Sequence, residues 1–175
     1  MSRILIFGNS GSGKSTLAAA LAREAALDHL DLDTLAWDRV SPNQRRPLVA
    51  SVADLDAFIR AHDKWVVEGC YSDLISSAIP HCTKLIFLNP GIESCIQNCR
   101  NRPWEPHKYP SPEAQDKNLE MLIGWIREYE AREDEFGLRS HRQLFDGFQG
   151  DKMEITGKRP VPNSAIHPTC ENARG

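Results

Sequence analysis

Gly8-Asn9-Ser10-Gly11-Ser12-Gly13-Lys14-Ser15-Thr16 is the stretch whose reading decides the fold. Gly8, Gly13, Lys14 and Ser15 fill every fixed position of the pattern GxxxxGK[ST], a glycine-rich loop that wraps phosphate. At average composition such a match arises by chance on the order of once in two hundred chains of this size. The flanks agree with it. Arg3 to Phe7 is a short apolar run that favours a strand, and Leu17 to Leu27 is rich in Ala and Leu and favours a helix. Strand, glycine loop and helix is the order in which the motif works. A plain Gly-rich turn opening a helix would not require Lys14-Ser15 at this place.

The residue types follow from the chemistry. Gly8, Gly11 and Gly13 let the backbone come close to phosphate oxygens. The loop N–H groups and the helix N-terminus then face an anion. Residues 8 to 16, which include Asn9, Ser10, Ser12 and Thr16, are therefore the expected ATP-binding loop. Lys14 is expected on the β- and γ-phosphates, and the Ser15 hydroxyl on Mg²⁺.

Working outward, 175 residues suggest one domain with a sizeable core. A net charge of −3 gives no electrostatic footprint for wholesale binding to DNA or an anionic membrane, which argues against direct nucleic-acid contact. No stretch approaches the ~20 apolar residues of a membrane span. The N-terminus does not read as a signal peptide, and the odd set of five cysteines without a CxxC pair reads as reduced. The expected location is cytoplasmic. Cys95 and Cys99, with His81 and Cys82 upstream, raise the idea of a metal site. Ile92, Cys95, Ile96 and Cys99 also fall at i, i+3, i+4 and i+7, the buried stripe of a helix, and that reading is favoured.

Five strand candidates, Ile4–Phe7, His29–Leu32, Trp65–Glu68, Leu85–Leu88 and Met153–Ile155, alternate with helical patterns. The helices are read at Val52–His62, Tyr71–Ile79, Glu113–Glu135 and Arg139–Phe148. This rhythm predicts an α/β fold with a parallel sheet. Ser41–Pro47 reads as a loop. Arg100–Pro112, with four prolines, is a longer connection of the kind that tends to be functional. The expected organisation is one domain over 1–156, with a lid at about 100–112, followed by a flexible tail over 157–175.

Asp31 and Asp33 stand two residues apart at the end of the second strand candidate, so alternation points both the same way. Ligands of open α/β sheets bind at the carboxyl ends of strands. Asp31 suits Mg²⁺ or its bound water, or general-base work, and Asp33 suits a hydrogen bond to a phosphoryl acceptor. A solvated strand end with one Asp capping a helix is the plainer reading of the same pair. Glu68-Gly69 ends the third strand, where the carboxylate suits the acceptor or a Mg²⁺-bound water, or is simply a strand-end charge with a turn glycine. Arg100 and Arg102 suit charge neutralisation on a transferring phosphoryl group, or simply a helix C-terminus. Trp37 and Trp104 are candidates for packing on a ring and are more often buried. Arg127 and Arg132 read as an exposed charged face, and Arg139, His141 and Arg142 as a solvated helix end.

The phosphate loop, the Asp31-Leu32-Asp33 element and the Arg-bearing segment resemble the adenylate kinase-like group, which includes shikimate and gluconate kinases. The pattern Leu-Asp-x-Asp-x-Leu-x-Trp at Leu30–Trp37 is closer to small bacterial DNA-topology-modulation-type P-loop proteins. So are Trp65-Val66-Val67-Glu68-Gly69-x-Tyr71 and Arg102-Pro103-Trp104-Glu105. The resemblance covers roughly residues 2–156. It implies a three-layer P-loop NTPase fold, a five-stranded parallel sheet in order 2-3-1-4-5 with helices on both faces and a short lid. It also implies a Mg²⁺ role for Asp31, an acceptor role for Asp33, and Arg100 and Arg102 closing as lid arginines. The chain lacks the Gly-Gly-Gly acceptor loop of shikimate kinases after its third strand, so their substrate is not carried over.

The expected function is an ATP- and Mg²⁺-dependent kinase acting on an unidentified small-molecule acceptor, as a monomer or homodimer. Lys14, Asp31, Arg100 and Arg102 would be catalytic, Ser15 and Asp31 would hold the metal, and Asp33, Glu68 and Gly69 would bind the acceptor. The alternative is a nucleotide-dependent regulatory ATPase with a protein or nucleic-acid partner.

Overall fold

The computed structural model describes residues 2–38, 44–106 and 109–157. Parts of three sequence expectations lie outside them: residues 41–43 of the first loop, 107–108 of the lid, and 158–175 of the tail.

The sheet forms where the apolar runs predict it. β1 (Arg3–Gly8), β2 (Asp28–Asp31), β3 (Trp65–Gly69), β4 (Lys84–Leu88) and β5 (Asp151–Ile155) make one five-stranded sheet in order β2-β3-β1-β4-β5. Every pairing is parallel. β1, β3 and β4 are covered on both faces, as their continuous apolar sequences require. Leu5, Phe7, Trp65, Val67, Leu85 and Phe87 point into the larger core layer. Ile4, Ile6, Val66, Ile86 and Leu88 point into the other. The period of two along each strand thus fills two layers from one sheet.

α1 (Lys14–Ala25) covers the second layer through Leu17, Ala18 and Leu21. The first layer is closed by α2 (Asp33–Ala36), α3 (Leu48–Ala61), α4 (Ser72–Ala78) and α7 (Leu138–Gly147). α5 (Ile92–Arg100) and α6 (Pro112–Arg127) pack on each other around Cys95, Ile96, Cys99, Ile123 and Ile126. The two cysteines therefore act as small apolar side chains in a helix interface. No described helix is long and apolar enough to cross a membrane.

Four local expectations differ from what forms. β2 ends at Asp31, and Asp33 opens the short α2, so the two aspartates do not share a strand face. The Asp31 carboxylate accepts the Asp33 N–H at 2.9 Å, a local bond that turns the chain out of the strand. α6 begins as a helix should, with the Ser111 hydroxyl accepting the Ala114 N–H and Pro112 in its first turn. It stops at Arg127 rather than running to Glu135. A 3₁₀ turn (Glu128–Glu130) follows, and the Asp134 carboxylate then takes both the Arg132 guanidinium and the Phe136 N–H. Arg132 consequently lies over the Trp125 ring, 3.3 Å from its centroid, instead of on an exposed helix face. Finally, His141 is fully buried within α7 rather than solvated, while Arg139 stays exposed and Arg142 forms a two-pronged pair with Glu154. The helix rotates that way because Leu144 and Phe145 share the apolar face with position 141.

Candidate active site

The glycine loop runs from the end of β1 into α1. Gly11 (φ 75°) and Gly13 (φ 97°) hold left-handed backbone. A Cβ at Gly8 would stand 2.2 Å from the Leu88 carbonyl oxygen, and one at Gly11 2.4 Å from that of Cys95 and 2.7 Å from Cys99 Sγ. Only glycine permits this close approach. The loop carbonyls are turned into the protein: Asn98 Nδ2 donates to Gly11 O at 2.8 Å, and Asn9 O accepts from Lys14 Nζ at 2.8 Å. No side chain caps the N-terminus of α1. Its leading N–H groups are the ones a helix cannot satisfy internally, and they supply a seat for an anion. Lys14 is 9% exposed, folded over its own loop.

The Asn9 side chain is engaged within the protein. Its Oδ1 accepts the Ser10 N–H at 2.8 Å, and its Nδ2 donates to Ile126 O at 3.2 Å, tying the loop to α6. Ser12 is buried, and its hydroxyl has no hydrogen-bond partner among the described residues. Ser15 and Thr16 are exposed at the mouth of α1.

Two clefts flank this loop. One, of about 590 Å³, lies over α1 and the end of β4, with Leu17, Ala20, Leu88 and Pro90 as an apolar wall and Asn98 and Asn101 as polar groups. The other, of about 350 Å³, brings together Lys14, Ser15, Asp31, Asp33, Glu68 and Gly69. The strand register explains the second grouping. Asp31 pairs with Glu68, and Phe7, one residue before the loop, pairs with Gly69, so the carboxyl ends of three neighbouring strands converge. Gly11, Gly13, Thr16, Arg102 and Pro103 line both clefts.

Each carboxylate has its own support. Asp33 Oδ1 accepts from the Tyr71 hydroxyl at 2.6 Å, and that hydroxyl accepts from Trp37 Nε1 at 2.6 Å. Arg45 stacks 4.9 Å from the Tyr71 ring and pairs with Asp73 at 3.1 Å and Glu135 at 2.9 Å. Glu68 is 2% exposed. Burial alone would raise its carboxyl, but His29, the Lys14 ammonium and the Ser15 hydroxyl outweigh that and hold it below the usual carboxylate range. His29 Nε2 stands 3.9 Å away, beyond hydrogen-bond reach, and Glu68 Oε1 has no hydrogen-bond partner among the described residues. Burial pushes the neighbouring Cys70 thiol up to about 12, so it stays protonated.

Arg102 belongs to the site and rests on Glu105, 3.2 Å from its carboxylate. Arg100 is exposed at the end of α5 and lines neither cleft; it borders a small crevice beside α6. Trp104 is 45% exposed and donates to Tyr109 O, and Trp37 supports Tyr71. The Trp37–Tyr71–Asp33 relay escaped sequence reasoning because residues 34 and 38 apart carry no periodic signal; the patterns at Leu30–Trp37 and Trp65–Tyr71 marked its three members without linking them.

Ser15, Asp31 and Glu68 present hard oxygen donors, the kind that suit Mg²⁺ completed by phosphate oxygens and water. The buried, unmet Oε1 of Glu68 fits such a role.

No protein-family model and no curated protein sequence matches the chain. Solved structures do. A gluconokinase from Sinorhizobium meliloti is 18% identical, with a TM-score of 0.51 over 91% of this chain and 84% of that one. A shikimate kinase from Acinetobacter baumannii, in complex with shikimate, is 14% identical, with a TM-score of 0.53 over 95% and 88%. A sugar kinase from Janibacter is 15% identical, with a TM-score of 0.52 over 95% and 91%. With the strand order and the glycine loop, these likenesses give the chain the fold of the adenylate kinase-like P-loop kinases.

Proposed function

We propose that this chain is an ATP-dependent kinase that phosphorylates a small molecule. The observation that carries the reading is the pair of clefts meeting at the glycine loop, with Arg102 on the edge of both. A pure nucleotide switch has no need of a second cleft lined by oriented carboxylates.

In this reading the larger cleft takes the nucleoside, and Lys14 exchanges the Asn9 carbonyl for phosphate oxygens. Ser15, Asp31 and Glu68 would hold Mg²⁺, which supplies charge neutralisation on the phosphates. The acceptor hydroxyl lies in the smaller cleft, oriented by Asp33 in its Tyr71-fixed position. Its oxygen attacks the γ-phosphorus, the bond to the β–γ bridging oxygen breaks, and Asp31 takes the proton. Arg102 leaves Glu105 to meet the charge on the transferring group. Gly69 lets Leu32 approach closely beneath the cleft, where a Cβ would meet it at 2.9 Å.

The test is ADP release with ATP and Mg²⁺ across nucleosides, nucleoside monophosphates, sugar acids and polyols. A rise over background with one class, lost in Lys14→Met while the circular dichroism spectrum is retained, supports the kinase. Acceptor-independent hydrolysis across the whole panel refutes it and favours the regulatory ATPase.

A further inference from the structure

A triphosphate has to be met by N–H groups, yet the loop that supplies them is pliable. Gly11 and Gly13 both hold left-handed backbone, and glycine rotates out of that region as readily as into it. A peptide unit turned over at Gly11 would present its carbonyl oxygen where an N–H is needed, and that oxygen repels phosphate. The glycines permit the phosphate-ready conformer, but they do not select it.

Two side chains hold carbonyls of the loop among the described residues. Lys14 Nζ donates to Asn9 O and Asn98 Nδ2 donates to Gly11 O, both at 2.8 Å. In the kinase reading Lys14 surrenders its bond when phosphate arrives. The Asn98 bond uses no group that the phosphates need, so it persists. Asn98 also reaches the loop from a firm base. Its helix, α5, packs through Cys95, Ile96 and Cys99 against Ile123 and Ile126 of α6. Cys95 O and Cys99 Sγ close the space where a side chain at Gly11 would stand. Asn98 itself is exposed and lines the larger cleft, so it does not serve to fill the core. Its neighbour Gln97 bonds instead to Asn101 and lines neither cleft.

We infer that Asn98 is a positioning residue for phosphate recognition. It fixes the Gly11 peptide with its carbonyl turned away from the anion, so the loop meets the β- and γ-phosphates in its binding shape rather than being ordered by them. This rests on the part of the kinase reading that seats a triphosphate on the loop. The effect belongs to the phosphates and not to the nucleoside.

Calorimetry in Mg²⁺ buffer tests this with two probes, a non-hydrolysable ATP analogue and inorganic triphosphate. Asn98→Ala removes one hydrogen bond and should weaken both probes by the same factor, roughly three- to tenfold. Asn98→Asp keeps the side-chain size but sets a carboxylate, which cannot donate, against the Gly11 carbonyl. It should weaken both probes further, and it preserves the test if the alanine variant folds poorly. Gln97→Ala, on the same helix, should stay within about twofold of the wild type on that scale. Circular dichroism checks that each variant retains its fold.

Unchanged affinity for both probes in folded Asn98→Ala and Asn98→Asp overturns the inference and leaves the kinase standing. A loss confined to the ATP analogue also overturns it, because Asn98 would then act on the nucleoside and not through the loop. An equal loss in Gln97→Ala does the same, since any disturbance of α5 would then suffice. If neither probe binds the wild-type chain, the kinase reading itself falls.

Discussion

His141 offers a prediction whose size can be worked out from its surroundings. It is fully buried, edge-on to the Phe7 ring at 5.4 Å. Its Nε2 is 2.9 Å from the Cys70 carbonyl oxygen, which can only accept, so that nitrogen carries the proton. Nδ1 then accepts from the Tyr129 hydroxyl at 2.7 Å. The ring is thus held neutral at the carboxyl end of β3, beside the cleft. Burial, helped by the Lys14 ammonium, lowers its pKa from 6.5 to about 4, against the opposing pull of the Cys70 carbonyl and Asp134. Between those values the unfolded chain binds a proton that the folded chain refuses, so stability falls as pH falls. Well above pH 6.5 the contribution is complete, and well below pH 4 nothing further is lost from this group. At ~1.4 kcal/mol per pH unit the loss is about 2 kcal/mol between pH 7.5 and 5, and about 3 by pH 4. Urea unfolding followed by the emission of the buried Trp65 measures it. His141→Gln supplies the reference, because carboxylate titrations common to both proteins cancel in the difference. A wild-type profile parallel to that of the variant from pH 7.5 to 5 would refute the argument, as would a His141 ring proton titrating near 6.5 in the folded protein.

Three further outcomes follow from the site. Arg102→Ala should lower kcat by roughly a thousandfold, whereas Arg100→Ala, which removes a group outside both clefts, should change it by less than about threefold on the same scale; comparable losses in steady-state assays would show that the lid closes differently. Tyr71→Phe removes the hydroxyl that donates to Asp33 Oδ1 and accepts from Trp37 Nε1, costing about 1–3 kcal/mol of stability. Its acceptor KM should rise more than its ATP KM, and equal shifts would count against a positioning role for the relay. Gly11→Ala drives a methyl into the Cys95 carbonyl at a positive φ, a strain of about 1–3 kcal/mol that should abolish nucleotide binding in calorimetry; near-normal affinity would mean that the loop tolerates a side chain there.

Much of this was legible in the sequence, for identifiable reasons. Strands covered on both faces have to be continuous apolar runs, so β1, β3 and β4 declared themselves. The glycine loop is recognisable because its conformation admits few residue types, and the stripe from Ile92 to Cys99 obeyed helical spacing. The misreadings occur where a side chain competes with the backbone or where tertiary contact overrides local pattern. The Asp31 carboxylate ends β2 by capturing the next turn, and Asp134 gathers the chain after α6 in the same way. His141 looked solvated between two arginines, because a sequence does not show that Cys70, distant in the chain, and Tyr129 satisfy both ring nitrogens. Arg100 and Arg102 look alike as letters, and only the turn that follows α5, where the Arg102 N–H donates to Cys99 O, separates the one inside the cleft from the one outside.

The contact of Gly11 with α5 also bears on how this chain can change over generations. The loop lies so close to Cys95 and Cys99 that the space for a side chain at either place is set by a residue more than eighty positions away. A drift to Leu or Met at position 99 would be paid in the posture of the phosphate cradle, although residue 99 has no chemistry to perform. The demands of the loop thus spread beyond its own nine residues to a small patch of helix. That patch is an inherited constraint, while exposed neighbours on the same helix, such as Glu93 and Gln97, are at liberty to vary.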